Sequence, residues 1–208
     1  MSNFKFDLEQ EHILNTYLDD VYESKKLKFS RITDFNKQHQ GIDIIFHHNS
    51  NDYFIDEKAQ LHYLNQDLPT FTFELSYLNK NHEIKEGWLL DTSKKTHYYF
   101  LITAIILKTG KTKLTDRNDI KSVKITSVNR SKLIGHLKHH GLTRHELEAY
   151  DYSIRHAQSF GKNTIPELDK KSAGIIYYTK HLNEQPMNLQ LRLQYLIDCR
   201  IAKAFHGF

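Results

Sequence analysis

Apolar side chains recur at helical spacing from about Asp7 or Leu8 to Glu23. Ile13, Leu14, Tyr17, Leu18, Val21 and Tyr22 fall on one side and Asp19, Asp20 and Glu23 on the other, which predicts an amphipathic helix. The period then drops to two. GIDIIF (Gly41–Phe46) and DYFIDEKAQ (Asp52–Gln60) are short apolar-rich runs separated by HHNSN, a turn composition, and together they predict a β-hairpin. FTFELSYL (Phe71–Leu78) predicts a third strand. YYFLITAIIL (Tyr98–Leu107), with almost no polar residue, predicts a fourth that is covered on both faces. KTGKTKLTDRND reads as a polar loop and KSVKITSV (Lys121–Val128) as a further strand.

Beyond Val128 the pattern turns helical. Ser131 is placed to cap SKLIGHLKHH, which stops at Gly141, and Thr143-Arg-His-Glu146 is a capping-box pattern opening a second helix to about Ser159. Ala173–Lys180 and Met187–Leu193 read as late strands and Tyr195–Phe205 as a closing helix. No repeat, low-complexity tract or linker interrupts the chain, so a single mixed α/β domain over 1–208 is expected. Its core is placed at about 8–128 and a C-terminal elaboration of helices and short strands at about 129–208.

Composition narrows the class. With 208 residues, 39% hydrophobic, 26% charged, twelve Phe, twelve Tyr and three Pro, the chain can bury a core and is not a disordered segment. No run approaches the roughly 18 apolar residues of a membrane span. The acidic, polar N-terminal stretch is unlike a secretory signal, and the lone Cys199 rules out an internal disulfide framework; both fit a cytoplasmic protein without a membrane partner. The formal charge of +4 conceals an asymmetry: residues 1–90 carry 9 Lys/Arg against 15 Asp/Glu, and residues 92–144 carry 12 against 2. A basic segment beside an acidic one suits a polyanion platform next to a metal-binding carboxylate cluster, although a solvated charged face would look the same.

The charges in the hairpin are the candidate chemistry. Strand alternation puts Asp56 and Lys58 on one face with Gln60 beyond them, and turns the Glu57 side chain away. If the register brings Asp43 to that face, two carboxylates meet across adjacent strands about 5 Å apart. Two acids so close repel unless a cation joins them, and oxygen donors of this kind suit Mg²⁺, with Mn²⁺ as its close substitute. A neighbouring ammonium can orient water and stabilise charge on a phosphate. The competing reading is a surface ion pair on an edge strand.

The order of features decides between these readings. An acidic helix is followed by GID in a strand, a turn, and IDEKAQ in a second strand. This arrangement resembles the PD-(D/E)xK nuclease superfamily, which includes restriction endonucleases, Holliday-junction resolvases and phage exonucleases. The similarity spans about Leu8 to Val128. RITDFNKQHQGID, IDEKAQLHY, FTFELSYL, and GWLLD followed by THYYFLI are together similar to uncharacterised bacterial members. The resemblance implies a restriction-endonuclease-like mixed sheet flanked by helices, with Asp43 and Asp56 binding Mg²⁺ and Lys58 catalytic. It further implies that the Glu57 backbone carbonyl is a ligand and that Gln60 assists. Gly41-Ile42 stands where the family name expects a proline before the first acid. Many such enzymes add a carboxylate from the first helix; Glu11, at the edge of the apolar face, is expected to point inward, with Glu9 as competitor.

Other features carry weaker expectations. Glu74 could reach the site from the third strand, or pair with a lysine. Trp88 could stack on a base or pack in the core. His136 and His140, four apart on one helical face, could share a metal with His139 or His145 nearby, but no cysteine or HExxH pattern completes a zinc site. Arg130, Lys132, Lys138 and Arg144, around the two helices at 131–159, are the candidate phosphate contacts. The leading expectation is a Mg²⁺-dependent nuclease, on DNA in the first instance, with endonuclease and exonuclease cleavage both left open. Against it stand an inactive nuclease-fold module that only binds nucleic acid or an assembly, and a small-substrate enzyme, for which no phosphate loop is present. A homodimer is left open.

Overall fold

In the computed structural model of the chain, which describes residues 4–205, the 3.6-residue spacing near the start becomes helix α1 (Phe4–Ser24). Leu14, Leu18 and Tyr22, four residues apart, are buried along one side, and Gln10 extends the same row. A strand β1 (Phe29–Arg31) and a short helix α2 (Phe35–His39) lead to β2 (Ile44–His48) and β3 (Asn51–Ala59). These last two form the expected antiparallel hairpin, with Ile44 opposite Ile55 and His48 opposite Asn51. Its loop residues Asn49 and Ser50 have φ of 48° and 62°, the doubly left-handed pattern of a type I′ turn, whose twist matches the strands.

The remaining elements are β4 (Thr70–Leu78), β5 (Ile84–Glu86), β6 (Tyr98–Leu107), β7 (Ile120–Asn129), α3 (Arg130–His139) and α4 (Arg144–His156). They are followed by β8 (Gly161–Asn163), β9 (Gly174–Tyr178), β10 (Met187–Arg192), α5 (Leu193–Asp198) and β11 (Ala202–Ala204). The architecture is mixed α/β, with one six-stranded and one five-stranded sheet. The chain divides into two compact units interleaved in sequence. One takes Met1–Leu68, Thr96–Asn129 and Lys203–Phe208; the other takes Pro69–Lys95 and Arg130–Ala202. The boundaries therefore fall inside the stretch expected to be one core, and β4, expected within that core with the hairpin, belongs to the other sheet.

In the first unit the strand order is β1-β2-β3-β6-β7-β11. β3 and β6 run parallel, while the β1–β2, β2–β3 and β6–β7 pairs are antiparallel. The row Leu14, Leu18, Tyr22 packs in one apolar cluster with Ile44, Phe46, Ile55, Phe100, Ile102 and Ile125. Tyr22 stands edge-on to Phe46 with centroids 5.1 Å apart. Tyr99 to Ile102 of β6 are all buried, as the unbroken apolar run predicts for a strand covered on both faces. The polar loop after β6 is ordered by a reciprocal cap between Asp116 and Asp119 and by the buried Leu114.

In the second unit the order is β5-β4-β10-β9-β8, all antiparallel. Phe71 and Phe73 lie opposite Leu191 and Leu189, and all four are buried. Thr143 caps α4 by accepting from the Glu146 N–H, and Gly141 at φ 83° follows α3, both as the sequence predicts. The expected closing helix over Tyr195–Phe205 is cut short. α5 stops at Asp198; Arg200 takes φ 57°, and Ile201 N–H and Arg200 N–H donate to Leu196 and Ile197 carbonyls, a Schellman ending on a residue that gives no glycine signal. The chain then enters β11.

Candidate functional site

The approach to Asp43 is built by α2. Asp34 caps its start, accepting the Lys37 N–H at 3.0 Å, and Gly41 at φ 71° ends it. Gly41 N–H donates to Gln38 O (2.8 Å) and Ile42 N–H to Lys37 O (3.1 Å), a Schellman motif in which only glycine fits the left-handed position without strain. The Ile42 N–H is thus in use, and a proline there would forfeit the bond. The glycine carbonyl accepts the buried Thr96 hydroxyl at 2.8 Å.

Asp43 emerges immediately before β2, not within a strand as expected. Three backbone groups fix it: its carbonyl accepts from Ile32 N–H (2.8 Å), its N–H donates to Ile55 O (2.9 Å), and Oδ2 accepts from Glu57 N–H (2.8 Å). One step along the hairpin register from Ile44–Ile55 sets Asp43 opposite Asp56. Asp56 is 2% exposed and its Oδ1 lies 2.5 Å from Lys58 Nζ, whose side chain keeps 31% exposure. The residues read from the sequence as a cluster, Asp43, Asp56 and Lys58, are therefore neighbours.

Their electrostatics follow from crowding. Burial, then the Asp56 carboxylate, push the Asp43 carboxyl up to about 7, against the opposing pull of Lys58 and the Glu57 N–H. Burial alone would lower Lys58, but Asp56 and then Asp43 more than offset it and hold the ammonium above its ordinary value. Tyr99, fully buried and paired with Asp56 in the parallel register of β3 and β6, also acts on Lys58. The Glu57 side chain points the other way, as strand parity requires. Its Oε1 accepts the Tyr22 hydroxyl (2.7 Å), and its Oε2 lies 2.6 Å from Arg31 Nη1. Arg31 Nε in turn reaches both oxygens of Asp19, at 2.7 and 2.9 Å. Sequence periodicity gave no signal for Arg31, which lies at the end of a three-residue strand.

Two expected members are placed differently. Glu11 is exposed, and the inward position is taken by Gln10, because the row of buried residues runs 10, 14, 18, 22 and position 11 is rotated about 100° off it. Gln60 lies past the end of β3, at φ −91° and ψ 59° before a 3₁₀ turn, so strand alternation no longer sets its direction. Glu74 and Trp88 belong to the second unit, where the Trp88 ring lies against Phe73 at 5.6 Å. Among the described residues no group of three or more His, Cys, Asp or Glu is gathered for a metal. A cation at the hairpin would draw on the Asp43 and Asp56 carboxylates with backbone carbonyl and water, oxygen donors of the kind Mg²⁺ accepts.

The phosphate-contact candidates separate into two kinds. Arg130 donates to the carbonyl of Asp91 at 2.8 Å, and Arg144 binds the Leu90 carbonyl and the Glu86 carboxylate, so both guanidiniums are tied to the 86–91 segment. Lys132 and Lys138 are exposed on α3. Of the basic segment, Lys111 pairs with Asp119 (2.8 Å), Arg117 with Asp20 (3.0 Å) and Lys124 with Asp67 (2.9 Å), which offsets part of its charge excess. His136 and His140 do approach, with ring centroids 4.4 Å apart. His136 Nε2, however, is 2.6 Å from the Tyr195 hydroxyl, and burial followed by His140 and His139 holds its pKa below the ordinary histidine value. No protein-family model, no curated protein and no solved structure matches the chain.

Proposed function

We propose that the chain is a Mg²⁺-dependent nuclease that hydrolyses phosphodiester bonds, with DNA as the first substrate to test. The observation that carries the reading is the juxtaposition of Asp43, Asp56 and Lys58. Two crowded carboxylates, one pushed up to about 7, lie beside an ammonium 2.5 Å from the second. Such a pair is stable when a cation or proton relieves it. Asp43 and Asp56 would hold the Mg²⁺, and the bound ion would supply a Lewis acid that lowers the pKa of water and offsets charge on the phosphate. Lys58, charged throughout the neutral range, is placed to orient the attacking water and stabilise the phosphoryl oxygens, while the Glu57 N–H keeps Asp43 aimed.

The test is a cleavage screen with plasmid, linear duplex, branched DNA, single strands and RNA, in Mg²⁺ or Mn²⁺ and in chelator. Asp56→Asn and Lys58→Ala should each lower the rate roughly 100- to 1000-fold with the far-ultraviolet circular dichroism unchanged. Variants that cut as well as the parent, or activity that persists in chelator, would sink the reading. Salt-dependent binding without metal-dependent turnover would point instead to a nucleic-acid-binding module.

A further inference from the structure

We infer that the Arg31–Glu57 ion pair is a positioning device that sets Asp43, and that Arg31 and Glu57 are positioning residues of the candidate site. The inference rests on reading Asp43, Asp56 and Lys58 as one site, but not on the reaction it performs. Asp43 has two anchors beyond its own strand start: its carbonyl on Ile32 N–H, and its carboxylate on Glu57 N–H. The first anchor is next in sequence to Arg31; the second is the backbone of Glu57 itself. Arg31 and Glu57 meet at 2.6 Å, so one ion pair ties together the two stretches of backbone between which Asp43 is held.

The pair is secured from α1. Asp19 takes the other edge of the guanidinium, and Tyr22 donates to Glu57 at 2.7 Å, so α1, β1 and β3 converge on one carboxylate. Burial, then the Glu57 charge, hold the Tyr22 phenol well above its ordinary value, which keeps it a donor. The Glu57 side chain is 5% exposed and lies on the sheet face of Ile55, Phe100 and Ile102, where an aliphatic residue would serve cohesion as well. A buried ion pair can often be replaced by apolar residues with no loss of stability, so its use here points to geometry and not to stability. Glu57 also stands between Asp56 and Lys58 in sequence, so a displacement of its backbone moves both.

The test is native-state hydrogen exchange on the full chain, read by NMR at the Glu57 and Ile32 amides against the amides of β6. In the Arg31→Met/Glu57→Leu double variant those two amides should exchange at least about tenfold faster while β6 is unchanged. Glu57→Gln, which keeps the shape and a Tyr22 partner, should give a smaller change in the same direction and decides the matter if the double variant does not fold. Parent-like exchange at both amides overturns the inference, and so does a uniform acceleration that includes β6, the mark of a purely structural role. Titration with Mn²⁺ alone separates the two proposals. A parent protein that binds no Mn²⁺ sinks the metal reading of Asp43 and Asp56, while the exchange ratio still decides the role of Arg31 and Glu57.

Discussion

A carboxyl group pushed up to about 7 takes a proton in the folded chain that the unfolded chain would release from about pH 4 upward. With the folded value raised, stability from Asp43 is fully present below about pH 4 and is lost as pH rises toward 7, by up to about 4 kcal/mol in the absence of divalent metal. Urea denaturation in chelator at pH 5 and pH 8, parent against Asp43→Asn, isolates this slope. Equal slopes in the two proteins would remove Asp43 as its origin. At this scale the sequence was legible where a charge interrupts an apolar alternation. Asp56 and Lys58 stand out because Ile55 and Ala59 flank them, and parity alone separates them from Glu57. The partners of Glu57 were not legible, since Tyr22 reads as one more apolar position of α1 and Arg31 falls in a segment that no periodicity marks. Glu11 went astray for a related reason. The polar Gln10 occupies the buried row, and periodicity counts only apolar residues.

Elements were legible wherever local chemistry closes them. HHNSN announced the hairpin, and the structure shows why its turn is tight: Asn49 and Ser50 both adopt φ above zero. Asparagine tolerates that region, but serine does not gain from it. Ser50→Gly is expected to raise stability by about 1 kcal/mol, measured by thermal unfolding. An unchanged midpoint would mean that the turn relaxes to another type. The Thr143 cap and Gly141 stop were read correctly for the same local reason. The end of α5 was not, because Arg200 enters the left-handed region with no glycine or asparagine to signal it, and the apolar run LIDCRIAKAF continues through the break into β11. The strand expected to reach Gln60 ends at Ala59, because periodicity outlasts the ladder at a strand end.

For the molecule as a whole, the mixed α/β class followed from the succession of periods. Which strand joins which sheet did not follow, because pairing is decided by contacts distant in sequence. β4 follows the hairpin along the chain and yet pairs with β10. β11 is ordered next to β7 although residues 130–201 intervene. The segment behind it contributes Phe205, whose N–H donates to Ile125 O at 2.8 Å and whose ring lies 5.3 Å from Phe100 and 6.2 Å from Tyr22. Phe205→Ala is expected to lower stability by roughly 2–3 kcal/mol in urea denaturation, and a loss under about 0.5 kcal/mol would show the ring to be peripheral.

The parallel pairing of β3 with β6 has a consequence in time. Its crossover, residues 60–97, carries β4 and β5, and the second partner of β4, β10, is synthesised about ninety residues after β6 begins. A nascent chain emerging residue by residue therefore holds the hairpin early but must wait, with β4 unpaired along the edge that β10 later covers, until the late strands exist. High contact order of this kind makes for slow closure, and the exposed edge of β4 is the place where a chaperone, or a second nascent chain, would find the protein before it is finished.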